Sequence, residues 1–355
     1  MNEMKLIGLG AAYPGRLVTN DDLSLEMDTS DAWIYPRTGI HARRFCTAEE
    51  SAVTLAIEAA GKALAEAESQ GVPASDIGAI VVASMSADLA TPSIAAILQR
   101  ELRLLEVPAL DINAACSGFI YGLEVARSLA AVSGRRYALV VGTEQLSRLL
   151  SMEDRSTAIL FGDGAGAAVI ECTETAENRE EAAPYVRLFG SRGSDVILAP
   201  GVYTGAYEAR EETNAETVCI DHMLMDGKEV FMFACDIIPR IIGGLLAQSG
   251  ETMEDIDHVV CHQANSRIID HCIRSMKADP EKFYKNMDHF GNTSAASIPM
   301  ALDEMAEKGL LRENQTLLLD GFGAGLTWGG VIFRTDASFH RPAEQERVNR
   351  NENAE

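Results

Sequence analysis

Three short segments of the 355-residue chain carry reactive or hydrogen-bonding side chains among small and apolar neighbours: NAACSGF around Cys116, CHQAN around His262 and FGNTSAAS around Asn292. In that order they supply a nucleophile, an imidazole and a carboxamide. A thiol attacks as its thiolate, so its surroundings decide whether it reacts. The apolar run 107–112 reads as a strand, and Phe119, Leu123, Ala126 and Leu129 recur at helical spacing just after Cys116. Cys116 is therefore expected at a helix N-terminus, where free N–H groups and the helix dipole would lower its pKa. Taken singly, each residue has a plainer role. Cys116 reads as packing, His262 after Val259, Val260 and Cys261 as a core histidine, and Asn292 as a cap for a helix beginning near Ser297. Catalysis is indicated by the set of three.

Bringing these groups together needs a scaffold, and the chain repeats one. DIGAIVVASM begins at Asp76 and DIDHVVCHQA at Asp255, 179 residues apart; ALVVG ends at Gly142 and LLLDG at Gly321, again 179 apart. Two strand-like runs at one spacing indicate duplication. A helix-forming stretch precedes the first strand of each half, at 51–69 and 231–248, so the predicted fold is α/β with partly parallel sheets. At the same offset Cys116 corresponds to residue 295, inside GNTSAAS, and Cys116 and Asn292 are expected to approach each other across a pseudo-twofold axis. The expected organisation is an N-terminal half, 1–173, carrying the cysteine, and a C-terminal half, 174–335, carrying His262 and Asn292. The acidic run 171–184 suits a surface connection between them, and 336–355, charged and without apolar periodicity, is expected to be a disordered tail.

Composition narrows the function. With 47% hydrophobic and 23% charged residues the chain can bury one large core or two ordinary ones. MNEMKLIGLGAAYPG lacks a signal-peptide pattern and no uncharged membrane span is evident elsewhere, which gives a cytoplasmic expectation without membrane association. Seven cysteines without CxxC spacing argue for reduced thiols; Cys46, Cys172, Cys219, Cys235, Cys261 and Cys272 are expected to pack. A net charge of −23 argues against nucleic acid as a partner and requires any acidic partner to meet a local basic patch. FGDGAG and FGAGLTWG lack the Lys-Ser/Thr ending of a phosphate loop and read as tight turns.

From Gly8 to Arg334 the chain resembles β-ketoacyl-(acyl carrier protein) synthase III, the thiolase-fold condensing enzyme that initiates type II fatty-acid synthesis. The resemblance rests on TSDAWIYPRTGIHARR (29–44), DINAACSGF (111–119), FGDGAGAAVI (161–170), CHQANSRII (261–269), FGNTSAASIPMAL (290–302) and FGAGLTWG (322–329), six motifs in order. It implies a thiolase-like fold, a homodimer, and no metal or redox cofactor, coenzyme A thioester being a substrate. An acyl-CoA would acylate Cys116, and malonyl-(acyl carrier protein) would then lose carbon dioxide to an enolate stabilised by His262 and Asn292. Backbone N–H groups of Cys116 and Ala324 would hold the second oxyanion, although the family often has glycine at the latter position.

The same resemblance places Trp33 and Arg155 around adenine, Arg37 near phosphate, and Asn265 and Gly227 along the pantetheine arm. Ala32 and Tyr35-Pro36 depart from the family pattern there. Thr91, where short-primer members have Phe, would line the acyl pocket across the dimer interface and admit a longer primer; alternatively it caps a helix starting at Pro92. Arg267, Arg274 and Lys277, seven and three residues apart, are expected on one helix face that docks the acidic carrier protein, or form an ordinary solvated face. A condensing enzyme or acyltransferase of specialised metabolism, a Cys/His/Asn hydrolase and a carrier-binding module without turnover are the competing readings.

Overall fold

The computed structural model describes residues 2–104, 106–174, 185–200, 220–335 and 339. The N-terminal elements are β1 (Asn2–Ala12), β2 (Arg16–Thr19), α1 (Asn20–Leu23), α2 (Asp31–Thr38), β3 (Ala42–Phe45), α3 (Ala52–Ser69), β4 (Ile77–Ala83), α4 (Ile94–Glu101), β5 (Ala109–Ile112), α5 (Gly118–Ser133), β6 (Tyr137–Glu144), α6 (Arg155–Ala158) and β7 (Gly164–Glu174). Then come β8 (Val186–Ser191), β9 (Ile197–Leu198), β10 (Leu224–Met225), α7 (Gly227–Ser249), β11 (His258–Cys261), α8 (Ser266–Met276), α9 (Met287–Phe290), α10 (Ser297–Glu307), β12 (Thr316–Gly323) and β13 (Thr327–Arg334).

One sheet has the order β1-β7-β6-β4-β5 and the other β11-β12-β13-β8. In each, a parallel pair is extended by two antiparallel strands: β4 and β6 are parallel with β7 and β1 antiparallel beyond, and β11 and β12 are parallel with β13 and β8 beyond. β6 and β12 begin 179 residues apart, as do α5 and α10, so the duplication read from the apolar runs is present in three dimensions. Among the described residues the C-terminal sheet has four strands, and a single parallel bridge between Val259 and Phe283 stands beside β11.

β4 is buried along its whole length because helices cover both faces of its sheet, which explains a sequence of continuous rather than alternating apolar residues. The inner layer is formed by α5 and α10, whose Phe119, Leu123, Ile298 and Leu302 share one core with Val140 of β6 and Leu319 and Val331 of the other sheet. On the outside, the alanine face of α3 packs on Ile80, Val82 and Val169. Ser51 starts that helix with a capping box to Thr54.

Among the described residues α7 is long and apolar enough to cross a membrane, with mean hydropathy 1.8, but it is not uncharged, carrying Lys228, Glu229, Asp236 and Arg240. Here it covers the C-terminal sheet. Ile237, Ile238, Ile241, Ile242 and Leu245 are buried with Leu318 and Ile332, while Asp236 and Arg240 pair on its exposed side. Cys219, residues 175–184 of the acidic run, and 336–338 and 340–355 of the expected tail lie outside the described residues. Phe339, within that tail, is 1% exposed and belongs to the central core.

Candidate active site

Each half turns sharply where its central helix begins. Ala115 and Ser294, 179 residues apart, both take the left-handed conformation, with φ of 44° and 49°. Such values are strained for residues with a Cβ and persist where surrounding packing enforces them. Each opens a short 3₁₀ turn, Ala115–Ser117 or Ser294–Ala296, that runs into α5 or α10. Two glycines permit the close approach of these elbows. A Cβ on Gly142 would lie 2.2 Å from the Ala295 carbonyl oxygen, and one on Gly323 would lie 2.6 Å from the Cys116 nitrogen. Ser117 Oγ donates to the Ala114 carbonyl at 2.8 Å and lies 2.7 Å from Thr327 Oγ1, tying the cysteine elbow to the second sheet.

Cys116, His262, Asn292, Gly323 and Ala324 line one narrow cavity whose remaining wall includes Met85, Phe161, Met223, Met225 and Phe322. Ser297 Oγ lies 2.7 Å from His262 Nδ1 and accepts weakly from the Gln263 N–H at 3.4 Å. A hydroxyl has one hydrogen and two acceptor sites, so Ser297 can pair with either neutral tautomer, and the ring proton sits on Nε2 when the serine donates to Nδ1. Burial lowers the His262 pKa to about 3, so the ring is neutral. Asn292 Oδ1 accepts from the Ser294 N–H at 2.9 Å, which fixes the carboxamide and leaves its NH2 as the free donor. Backbone bonds from Asn292 N–H to Leu160 and from Gly162 N–H to Asn292 hold it at 2.8 and 2.9 Å. The cavity thus presents a thiol and two uncharged donor groups.

The expected acid shift of Cys116 is reversed. Burial pushes its thiol up to about 12, and the negative charge of Glu144 adds to the rise. Cys116 lies two residues before α5 at the wall of a narrow apolar cavity, where desolvation of a thiolate outweighs the helix end.

The coenzyme-binding candidates gather at one surface, with their own contacts satisfied. Arg155 and Arg37 lie over the Trp33 ring at 4.3 and 4.5 Å, so the indole is already covered by guanidinium groups. Arg37 Nη1 donates to the Trp33 carbonyl at 2.9 Å, and Arg155 Nη1 to that of Asp28 at 2.6 Å. An adenine entering between Trp33 and Arg155 must displace the latter. The unusual Tyr35-Pro36 pair lies within α2, where Tyr35 stacks on His41 at 3.8 Å. Asn265 caps α8 through Oδ1 and donates from Nδ2 to the Arg37 carbonyl at 3.1 Å, joining the two segments. Gly227 is the exposed first residue of α7, two positions after the cavity residue Met225.

Two placements differ from expectation. Arg267 and Arg274 are exposed on α8, but Lys277 is the residue past its end, at φ 54°, so the three do not share a helix face. Thr91 is exposed and lines no part of the cavity within this chain. Nor does it cap α4: Ser93 does, its Oγ accepting from the Ala96 N–H at 3.2 Å. Ser294, Ser297 and Glu144 were not singled out from sequence. Ser294 was discoverable as the repeat counterpart of Ala115, whereas the place of Glu144 depends on three segments meeting. Among the described residues no group of three His, Cys, Asp or Glu side chains is arranged to hold a metal.

A cysteine on one elbow of a duplicated α/β fold, facing neutral donors from the other half, defines a condensing acyltransferase of thiolase type. Comparison with known proteins specifies the family. The 3-oxoacyl-(acyl carrier protein) synthase III family matches residues 110–183, and its C-terminal counterpart matches 246–335. The β-ketoacyl-(acyl carrier protein) synthase III of Clostridium botulinum (strain Okra / Type B1) is 41% identical over 333 residues, 93% of this chain and 98% of its own. The crystal structure of 3-oxoacyl-(acyl carrier protein) synthase III from Pseudomonas aeruginosa PAO1 is similar at TM-score 0.83 and 35% identity, covering 95% of this chain and 99% of that one. The priming β-ketosynthase of the R1128 polyketide biosynthetic pathway is similar at TM-score 0.80 and 30% identity, covering 95% and 97%. The chain belongs to the β-ketoacyl-(acyl carrier protein) synthase III family and is a condensing enzyme of fatty-acid synthesis.

Proposed function

We propose that this protein condenses an acyl-CoA primer with malonyl-(acyl carrier protein), with Cys116 as the acyl carrier and His262 and Asn292 as the enolate-binding pair. The observation that carries this reading is that Cys116, His262 and Asn292 line one cavity. The Ser294 N–H engages Asn292 Oδ1 and leaves its NH2 as the donor, and with Ser297 donating to Nδ1 the neutral His262 ring offers Nε2–H. In the first half-reaction the Cys116 sulfur attacks the thioester carbonyl and coenzyme A leaves. In the second, the malonyl carboxylate enters a cavity walled by Phe161, Met223 and Phe322, where a charged carboxylate is poorly solvated and neutral carbon dioxide is not. The two donors stabilise the enolate, whose carbon then attacks the Cys116 thioester. Cys116 and Ala324 N–H groups are the proposed donors to that tetrahedral oxyanion.

Trp33, Arg37, Arg155, Asn265 and Gly227 belong to the proposed coenzyme channel, and Arg267 and Arg274, with Lys277 beside them, to the carrier-docking surface. A homodimer, a cytoplasmic setting and independence from a metal or redox cofactor complete the proposal. A Cys/His/Asn hydrolase would need His262 as a base, and an imidazole with its pKa near 3 is a weak one.

The test separates the half-reactions. Cys116→Ala is expected to abolish protein acylation, read by intact mass, while retaining malonyl decarboxylation. His262→Ala and Asn292→Ala are expected to acylate but to lose about 10²–10³ in decarboxylation rate. Normal condensation by either of the latter would overturn the assignment.

A further inference from the structure

The Cys116 thiol must lose its proton before or during attack, and neither His262 nor Asn292 is suited to take it. His262 Nδ1 is engaged by Ser297, and burial, which lowers the ring's pKa to about 3, makes it a weak base. The groups behind Cys116 offer another route. Glu144, the last residue of β6, is fully buried. Its carboxylate accepts from the Met85 N–H at 3.2 Å and from the Ser86 hydroxyl, with the Ser84 hydroxyl at 3.4 Å. Met85 itself lines the cavity beside Cys116. Ser294, held on the facing elbow, has a buried hydroxyl with no formed hydrogen bond, yet this hydroxyl is close enough to interact with both Cys116 and Glu144. An unpartnered buried hydroxyl that neighbours both a thiol and a carboxylate can accept from one as it donates to the other.

We infer that Ser294 relays the Cys116 proton to Glu144 during acylation, so that the second half of the duplicated fold activates the nucleophile of the first. The inference rests on Cys116 being the acylated residue. As the sulfur bonds to the thioester carbon, the S–H proton moves to Ser294 Oγ and the serine proton to Glu144. The tetrahedral species collapses with cleavage of the carbon–sulfur bond to coenzyme A, whose thiolate takes a proton from water. When the enolate carbon later attacks acyl-Cys116, the expelled thiolate recovers the proton kept on Glu144. One proton from water is consumed per turnover, and carbon dioxide and free coenzyme A are formed. Throughout the first transfer the site holds one negative charge, which moves from carboxylate toward sulfur instead of being created there. That avoids a second desolvated charge. Burial holds the Glu144 pKa at about 7, the range in which a carboxyl exchanges protons near neutrality.

Single-turnover acylation should be followed by intact mass from pH 5.5 to 9.5 in the native protein, Glu144→Gln, Ser294→Ala and Cys116→Ala, using one acyl-CoA that acylates the native protein. The native rate is expected to rise with an apparent pKa near 7 and then level off. Both relay variants should lose about 30-fold at pH 7 and climb steadily toward pH 9.5 without the plateau, as hydroxide replaces the relay. Ser294→Ala removes a hydroxyl with no formed bond and keeps the N–H that orients Asn292, so it tests the relay should Glu144→Gln fail to fold. A native rate and profile in Ser294→Ala, or a loss uniform across pH, would overturn the relay. Acylation of Cys116→Ala would instead overturn the nucleophile assignment beneath it.

Discussion

Asp320 offers a quantitative test of the electrostatics behind the site. It lies within β12, opposite Cys261 on one side and Gly330 on the other, and is 0% exposed. Neither carboxylate oxygen has a hydrogen-bond partner, and the nearby Cys261 thiol, a weak donor, eases its burial only slightly. Burial raises its pKa from 3.8 to about 7. The folded protein therefore binds this proton more tightly than the unfolded chain. Its contribution to stability is complete below about pH 4, falls as pH rises to about 7, and is constant above that. At about 1.4 kcal/mol per unit, the two units between pH 5 and 7 amount to about 3 kcal/mol. Asp320→Asn keeps the shape and removes the titration. Urea unfolding followed by circular dichroism at pH 5 and pH 8 should show the variant's advantage over the native protein growing by about 3 kcal/mol between the two. The subtraction cancels groups common to both chains, Glu144 included. A pH-independent difference would refute the reasoning, because Asp320 would then be ionised in the fold with a partner that this geometry lacks.

Two further outcomes concern substrates. Reversing Arg274 and Lys277 to Glu should weaken use of malonyl-carrier substrate several-fold at low salt, with less effect at high salt, while acylation by acyl-CoA stays near native. Equal loss in both half-reactions, measured separately, would remove the docking role. Thr91 is exposed in the single chain, so an effect on chain length requires a second copy to bring it to the cavity. The native protein should accept octanoyl-CoA as well as acetyl-CoA, and Thr91→Phe should lose the longer primer selectively; an unchanged series by intact mass would rule Thr91 out.

Much of the scaffold was legible because backbone hydrogen bonding and apolar burial leave periodic marks. The strands at 77–83 and 258–261, the helices at 52–69 and 227–249, and the 179-residue offset all follow from local runs of apolar residues. Motif order also identified Cys116, His262 and Asn292, which line one cavity. Helix ends were less legible. Lys277 continues the helical spacing of Arg267 and Arg274 but adopts the left-handed conformation that ends α8, and Ser93 displaced Thr91 as the cap of α4.

The sequence by itself determined the duplicated α/β fold and the identity of three polar side chains, since periodicity and residue order are properties of neighbouring positions. Tertiary structure decided their ionisation and polarity. A strand-to-helix position suggested an acidic thiol, yet desolvation by the segments packed around it, with the charge of Glu144 adding to the effect, pushes Cys116 up to about 12. His262 is neutral and a weak base because burial strips its charge, and Ser297, 35 residues away, engages Nδ1. Solvation and hydrogen-bond direction depend on everything within a few ångströms, and those neighbours come from segments far apart in the chain.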